Sequence, residues 1–183
     1  MREHQGYNII KLNNSMKNLM TALFLVLAPI FAYAQTKDVV DIAIGSPDHT
    51  TLVAAVKAAD LVATLKSAGP FTVFAPTNAA FAKLPEGTVA TLLKPENKAQ
   101  LSKILTYHVV SGNLDANAVI AAIKAGNGTA SVTTVSGGKL SVKLSDGKVV
   151  ITDEKGGMAT VVAADLKGSN GVVHVIDSVV LPK

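Results

Sequence analysis

Proton transfer or metal binding in this sequence would have to run through His49, His108 and His174, because His4 falls in an N-terminal stretch that reads as a leader. The three show no H-x-x-x-H or H-x-H spacing, cysteine is absent, and no D-x-D-x-D-G calcium loop occurs. Neither a thiolate site nor a clustered imidazole site is therefore written into the chain. Nucleophiles are equally bare. No G-x-S-x-G elbow is present, and Ser136-Gly137-Gly138 reads as a hairpin turn. Gly126-Asn127-Gly128 has no strand before it and no helix opening after it, so it lacks the setting of a phosphate cradle. His49, next to Asp48, reads as a loop or helix-start residue, and Asp153-Glu154 before Lys155-Gly156-Gly157 as a solvated turn.

Two polar pairs in apolar surroundings remain. In NGVVHVIDSVVLP, Asn170 to Pro182, strand alternation puts His174 on one face with Val172 and Ile176. Asp177 falls on the other face with Val173 and Val175, so the two form no direct dyad. In TYHVVSG, Tyr107 and His108 are likewise expected on opposite sides of a strand, with at most one entering the core. A buried imidazole without partners is costly, so both strand histidines are expected to bond backbone groups.

The elements that must hold these residues follow from periodicity and punctuation. Asp38 to Ser46 reads as a lead-in, interrupted by Pro47. DHTTLVAAVKAADLVATLKSAG reads as one helix, capped by Asp48 or Thr50 and ended by Gly69. FTVFAP is a strand, Thr77 or Asn78 caps AAFAKL, Thr88 opens a turn to Leu93, and PENKAQLSKIL is helical. Asp115 caps ANAVIAAIKAG, which Gly126 ends. TASVTTV, KLSVKLS, KVVITD and ATVVAAD then read as short strands, with Asp146-Gly147 as a two-residue hairpin turn. Helices first and strands later argue an α+β domain with a largely antiparallel sheet system.

The start of the chain has a different character. Lys17, the apolar run Leu19 to Ile30 and Ala32-Tyr33-Ala34 have the layout of a secretory signal. Met16 reads as the natural start, which makes residues 1–15 an upstream extension, 16–34 the signal and 35–183 a single domain. The apolar run is shorter than the roughly 20 residues of a spanning helix, though an N-terminal anchor is the competing reading. Cleavage after Ala34 delivers the protein to the periplasm or outside the cell. The formal charge of +4 then falls to +2, with 14 lysines against 12 acids and no arginine, since Arg2 is the only one. Without Arg or Trp, and with its lysines scattered, the chain excludes nucleic-acid and dinucleotide-phosphate binding.

Read together and in order, FTVFAPTNAAF (Phe71 to Phe81), Tyr107-His108 and Asn170 to Pro182 closely resemble the boxes of the fasciclin-like domain. The motif positions are Phe71, Thr72, Phe74, Ala75, Pro76, Asn78 and Phe81 in the first box. In the second they are Asn170, Gly171, His174, Asp177 and Pro182. The resemblance covers roughly Val39 to Lys183 and implies a wedge-like system of about seven strands flanked by helices, a usual sheet size. It also implies a secreted, non-enzymatic module without cofactor or metal, contacting surface proteins, matrix or polysaccharide, with weak self-association as a further expectation. Adhesion in animal members has been linked to the positions that here are Tyr107, His108, Val109 and Val110. Asp41-Ile42 stands in a different context, and no role is carried over to it.

A second reading is a periplasmic carrier of a small apolar or metal-containing ligand, suggested by the 49% hydrophobic composition and the histidines. A hydrolase would need an acid and a base sharing a cleft.

Overall fold

Asp38 turns the chain into its first helix in the computed structural model, which describes residues 36–183. Its carboxylate accepts the Val40 and Asp41 amide hydrogens, and Asp41 returns the bond to the Asp38 N–H. This capping box starts α1 (Val39–Ile44) where a lead-in was expected. Six residues are too few for a clear helical period, and the cap is the only local signal. The expected leader and upstream extension lie outside the described residues.

The long helix expected after Pro47 is two helices. Pro47–His49 forms a 3₁₀ turn, and α2 (Thr50–Ala58) and α3 (Val62–Leu65) follow. Between them Asp60 adopts φ 60°, and the Leu61 and Asp60 amides bond back to Val56 O and Lys57 O. This is a Schellman ending with aspartate in the left-handed position that glycine more often takes. β1 (Phe71–Pro76), α4 (Asn78–Ala82), α5 (Thr88–Leu92), α6 (Lys98–Tyr107), β2 (Val109–Ser111) and α7 (Ala116–Ala125) complete the first part. Thr77 and Asp115 cap α4 and α7, each accepting a backbone N–H three residues on.

The second part is built of strands: β3 (Thr129–Thr133), β4 (Lys139–Ser145), β5 (Lys148–Thr152), β6 (Met158–Gly168) and β7 (Gly171–Ile176). The Asp146-Gly147 turn has φ 50° and 76°, the double positive that a type I′ hairpin needs. β6 runs past the expected ATVVAAD and contains register shifts between Val161 and Leu166, with Asp165 at φ 60°.

All seven strands form one sheet in the order β2-β1-β7-β6-β5-β4-β3. Only β1 and β7 are parallel, paired from Phe71↔Gly171 to Pro76↔Ile176, and the remaining neighbours are antiparallel. The two ends of the sheet approach each other through a Val110–Thr134 bridge and a 2.7 Å bond from Val135 N to Val109 O. The architecture is α+β, with the helices mostly in the first half and a nearly closed sheet.

Two apolar clusters fill it. One joins Val39, Leu52, Val56, Leu101 and Leu105 of the helices to Ala75 and Val173 of the sheet. The other lies under the wedge, where Phe74, Tyr107, Val119, Ile123, Leu140, Ile151 and Ile176 meet.

Candidate functional site

Tyr107 and His108 stand at a helix end, which corrects their expected strand placement. Tyr107 is the last residue of α6, and His108 caps it at φ −84°, ψ −1° before β2 begins. The β-branched pair Val109-Val110 gives TYHVVSG a strand character that starts three residues ahead of β2. In the turn that ends a helix, successive side chains do not alternate by 180°, so both residues enter the interior. Tyr107 is 0% exposed and His108 2%.

Their polar atoms serve the backbone. The His108 Nδ1 lies 2.8 Å from Ile104 O, and its Nε2 accepts the Val180 N–H at 3.2 Å. A carbonyl can only accept, so the proton sits on Nδ1. Burial pushes the imidazole pKa down to about 4, against a smaller upward pull from Ile104 O and the Asp153 charge. The Tyr107 hydroxyl donates to Lys139 O at 2.9 Å and accepts the Glu154 N–H at 3.2 Å. Burial, with the nearby Glu154 and Asp153 charges, raises its pKa. Gly138 lies against the ring, where an added Cβ would meet Tyr107 Cε2 at 2.5 Å. Val109 and Val110, each 3% exposed, pair with Val73 and Thr72 of β1.

The two boxes flank this helix end from the middle of the sheet. In the first, Thr72 Oγ1 donates to Gly112 O at 2.7 Å and accepts the Leu114 N–H at 2.8 Å. Phe74 stacks on His174, with ring centroids 5.8 Å apart at 27°. Phe71 is half-buried, Ala75 and Pro76 are buried, and Phe81 packs against the helical cluster. Asn78 does not cap α4; it accepts the first-turn Thr51 N–H of α2 at 3.0 Å and donates to Pro47 O at 3.0 Å, tying α4 to the start of α2.

In the second box, Asn170 accepts Val39 N–H and donates to Leu65 O and Ser67 O, joining α1 and the end of α3 to the β6–β7 turn. Gly171 is obligatory for close approach, since a Cβ there would lie 2.0 Å from Phe71 O. His174 Nε2 donates to Leu114 O at 2.7 Å, and its Nδ1 accepts the Asp165 N–H at 3.3 Å. Asp177 instead accepts Thr160 N–H at 2.8 Å and faces Lys83 Nζ at 3.6 Å, so the two side chains serve different partners. Partial burial would raise the Asp177 pKa, but the Thr160 amide, the Ser178 hydroxyl and Lys83 together lower it. Pro182 is half-buried near the end of the chain.

Two polar residues matter more than their sequence surroundings suggest. Asp153, read as part of a solvated turn, is 8% exposed. Its carboxylate accepts the amide hydrogens of Lys155, Gly157 and Leu181, holding the β5–β6 turn and the closing segment together. The D-x-x-x-G spacing is the local signal for the turn, while the Leu181 bond has none. His49 is buried at the start of α2, with Nδ1 2.8 Å from Ser46 Oγ and Nε2 without a hydrogen-bond partner among the described residues. Burial lowers its pKa despite opposing contributions from Asp48 and the Ala75 backbone.

The three histidines do not converge. His108 lines a cleft of ≈ 40 Å³ between α1, α2 and β1 whose other lining is apolar except Lys57. His174 faces a separate apolar gap of ≈ 20 Å³ with Phe74 and Val119. Among the described residues, no three His, Asp or Glu side chains stand close enough to hold a metal ion.

The model of the Fasciclin domain matches residues 47–182. The chain is 54% identical to Protein sll1483 of Synechocystis sp. over 144 residues, covering 79% of this chain and 73% of that one. It is 36% identical to Immunogenic protein MPB70 of Mycobacterium bovis over 160 residues, 84% of this chain and 74% of the relative. The FAS1 domain pair of the insect cell adhesion molecule fasciclin I superposes with TM-score 0.56 at 25% identity, over 69% of this chain and 42% of that one. The match takes in both boxes and the helix end between them, and the chain belongs to the fasciclin domain family.

Proposed function

We propose that this protein is a secreted or periplasmic binding module that contacts a surface protein, a matrix component or a polysaccharide without a catalytic step. The observation that carries the reading is how the box residues use their polar atoms. Thr72, Asn78, Tyr107, His108, Asn170, His174 and Asp177 all bond backbone groups of distant segments. Groups occupied in this way hold a scaffold and leave contact to the outer surface. The adhesion role named for the insect molecule supports the same reading. Tyr107, His108, Val109 and Val110 act in this proposal by keeping the sheet and α6 together, and a partner meets the surface they support.

Export follows from the signal read at residues 16–34, which leaves 35–183 as the working domain with at most weak self-association. Among the described residues, no helix is long and apolar enough to cross a membrane. The cleft of ≈ 40 Å³ beside His108 is far below the roughly 300–1,000 Å³ of ordinary ligand pockets, so the carrier reading gains nothing from it. The test is a pull-down of envelope fractions together with a glycan array, using protein purified from residue 35 onward. Saturable capture of a surface component is expected. Binding to neither set would overturn the proposal.

A further inference from the structure

Strand alternation sends Ala130, Leu140, Val142, Ile151 and Ala159 into the core, and so turns the opposite face of β3 to β6 outward. One row across that face runs Ser131, Ser141, Thr152, Met158 in register. The next places Lys143 between Thr129 and Val150, with Lys148 opposite Ser145 one step along. A shallow groove of ≈ 380 Å³ lies among Lys143, Lys148, Val150, Met158 and Thr160, with Asp146 of the hairpin as its one acid.

Lysine outnumbers acid on this face, with Lys143 and Lys148 against Asp146. β3, β4 and β5 contain no Asp or Glu, and Asp153 just beyond β5 is buried and committed to three amides. Glu154, at the Lys139 end, accepts the Lys139 N–H. Lys143 and Lys148 form no ion pair among the described residues. Met158 stays 62% exposed in the same groove.

We propose that this face binds an acidic polysaccharide carrying carboxylate groups, a deepening that rests on the binding-module reading above. The ammonium groups of Lys143 and Lys148 pair with uronate carboxylates, and the Ser and Thr hydroxyls exchange hydrogen bonds with sugar hydroxyls. Val150 and Met158 offer apolar contact to the C–H faces of the rings. A protein partner fits less well, because the face has no Tyr, Trp or Arg, the usual anchors of protein interfaces. The same lack leaves nothing to stack a base.

Binding of the protein from residue 35 onward to polygalacturonate, neutral dextran and poly-glutamate is the test, with melting followed on every variant. Polygalacturonate is expected to bind with an affinity that falls as salt rises. Lys143→Glu combined with Lys148→Glu should weaken it at least about tenfold at unchanged melting temperature, as removal of two charge pairs implies. Lys57→Glu on α2 should leave it intact. Equal binding by the double variant, equal binding of dextran, or tighter binding of poly-glutamate would each overturn the assignment. A wild-type protein that captures an envelope protein but no polysaccharide sinks this inference alone, and one that captures neither sinks the binding-module reading with it.

Discussion

The Nε2 of His108 accepts the amide hydrogen of Val180 from 72 residues further along the chain, inside a fully buried site. Its other nitrogen holds Ile104 O, so one neutral imidazole ties the end of α6 to the closing segment. Replacing His108 with Ala strands both groups at roughly 1–3 kcal/mol each. Urea unfolding and partner binding should be measured on the same His108→Ala sample. Lower stability with proportionate loss of binding is expected. Abolished binding at unchanged stability would make His108 a direct contact.

The same site sets a pH dependence. In the folded protein the His108 pKa is held near 4, below its ordinary value of 6.5. The unfolded chain therefore takes up the proton first, and the stability contribution is complete above pH 6.5 and lost as pH falls through 4. Its size is about 3 kcal/mol at 1.36 kcal/mol per unit. Chemical denaturation at pH 7 and pH 4.5 should show most of this loss, and His108→Gln should flatten it. Asp38 acts lower down. Partial burial opposes its ionisation, but Lys66 and the Asp41 and Val40 amides outweigh that and lower its pKa. Its contribution is present above the ordinary 3.8 and disappears only below it.

Asp153→Asn keeps one amide-accepting oxygen where three backbone N–H groups now converge. A loss of about 2–4 kcal/mol is expected, the cost of leaving buried donors short of acceptors. Hydrogen exchange at Leu181 should accelerate by more than that at Leu105, because the closing segment loses its anchor. Equal acceleration at both would place the effect on global stability instead.

Thr72→Val preserves shape and removes a hydroxyl that both donates and accepts between β1 and the segment after β2. The Leu114 amide and Gly112 carbonyl then lack a partner, with an expected cost of about 1–3 kcal/mol. A melting temperature within error of wild type would show that water replaces the hydroxyl.

Export makes its own prediction. Mass spectrometry of protein secreted from a bacterial host should find the N-terminus at Gln35, read from the Ala32-Tyr33-Ala34 site. An intact Met1 or Met16 terminus in the membrane fraction would establish an anchor.

Punctuation carried much of the fold in the sequence. Asp115, Thr77 and the Asp146-Gly147 turn act through neighbours within four residues, and each stands where its chemistry placed it. Effects that depend on distant chain were hidden. Asp60 breaks a continuous helical pattern because it tolerates the left-handed turn, and nothing in AADLVA distinguishes that from a helix interior. Asp153 looks solvated among Glu154, Lys155 and two glycines, and only the arrival of Leu181 makes it a buried anchor. The site followed the same division. The backbone-bonded roles of His108 and His174 were legible from the cost of burying imidazole, whereas the helix end at Tyr107 was masked by the valines that follow.

The parallel pairing of β1 with β7 has a consequence for the order in which the molecule can assemble. Every contact in that pair joins residues one hundred positions apart, from Phe71↔Gly171 to Pro76↔Ile176. A loop that long must close before the pairing returns any stability, which slows folding relative to a locally wired bundle. A chain that emerges from its N-terminus shows all of α1 to α7 before the strand that fills the centre of the sheet exists. Until then Val73 and Phe74 have only β2 beside them, an apolar strand with one open edge of the kind that invites aggregation. The last thirteen residues of the boxes, Asn170 to Pro182, thus act as a keystone: without them β1 and β2 have no strand linking them to β3–β6, and the helical cluster lacks Val173.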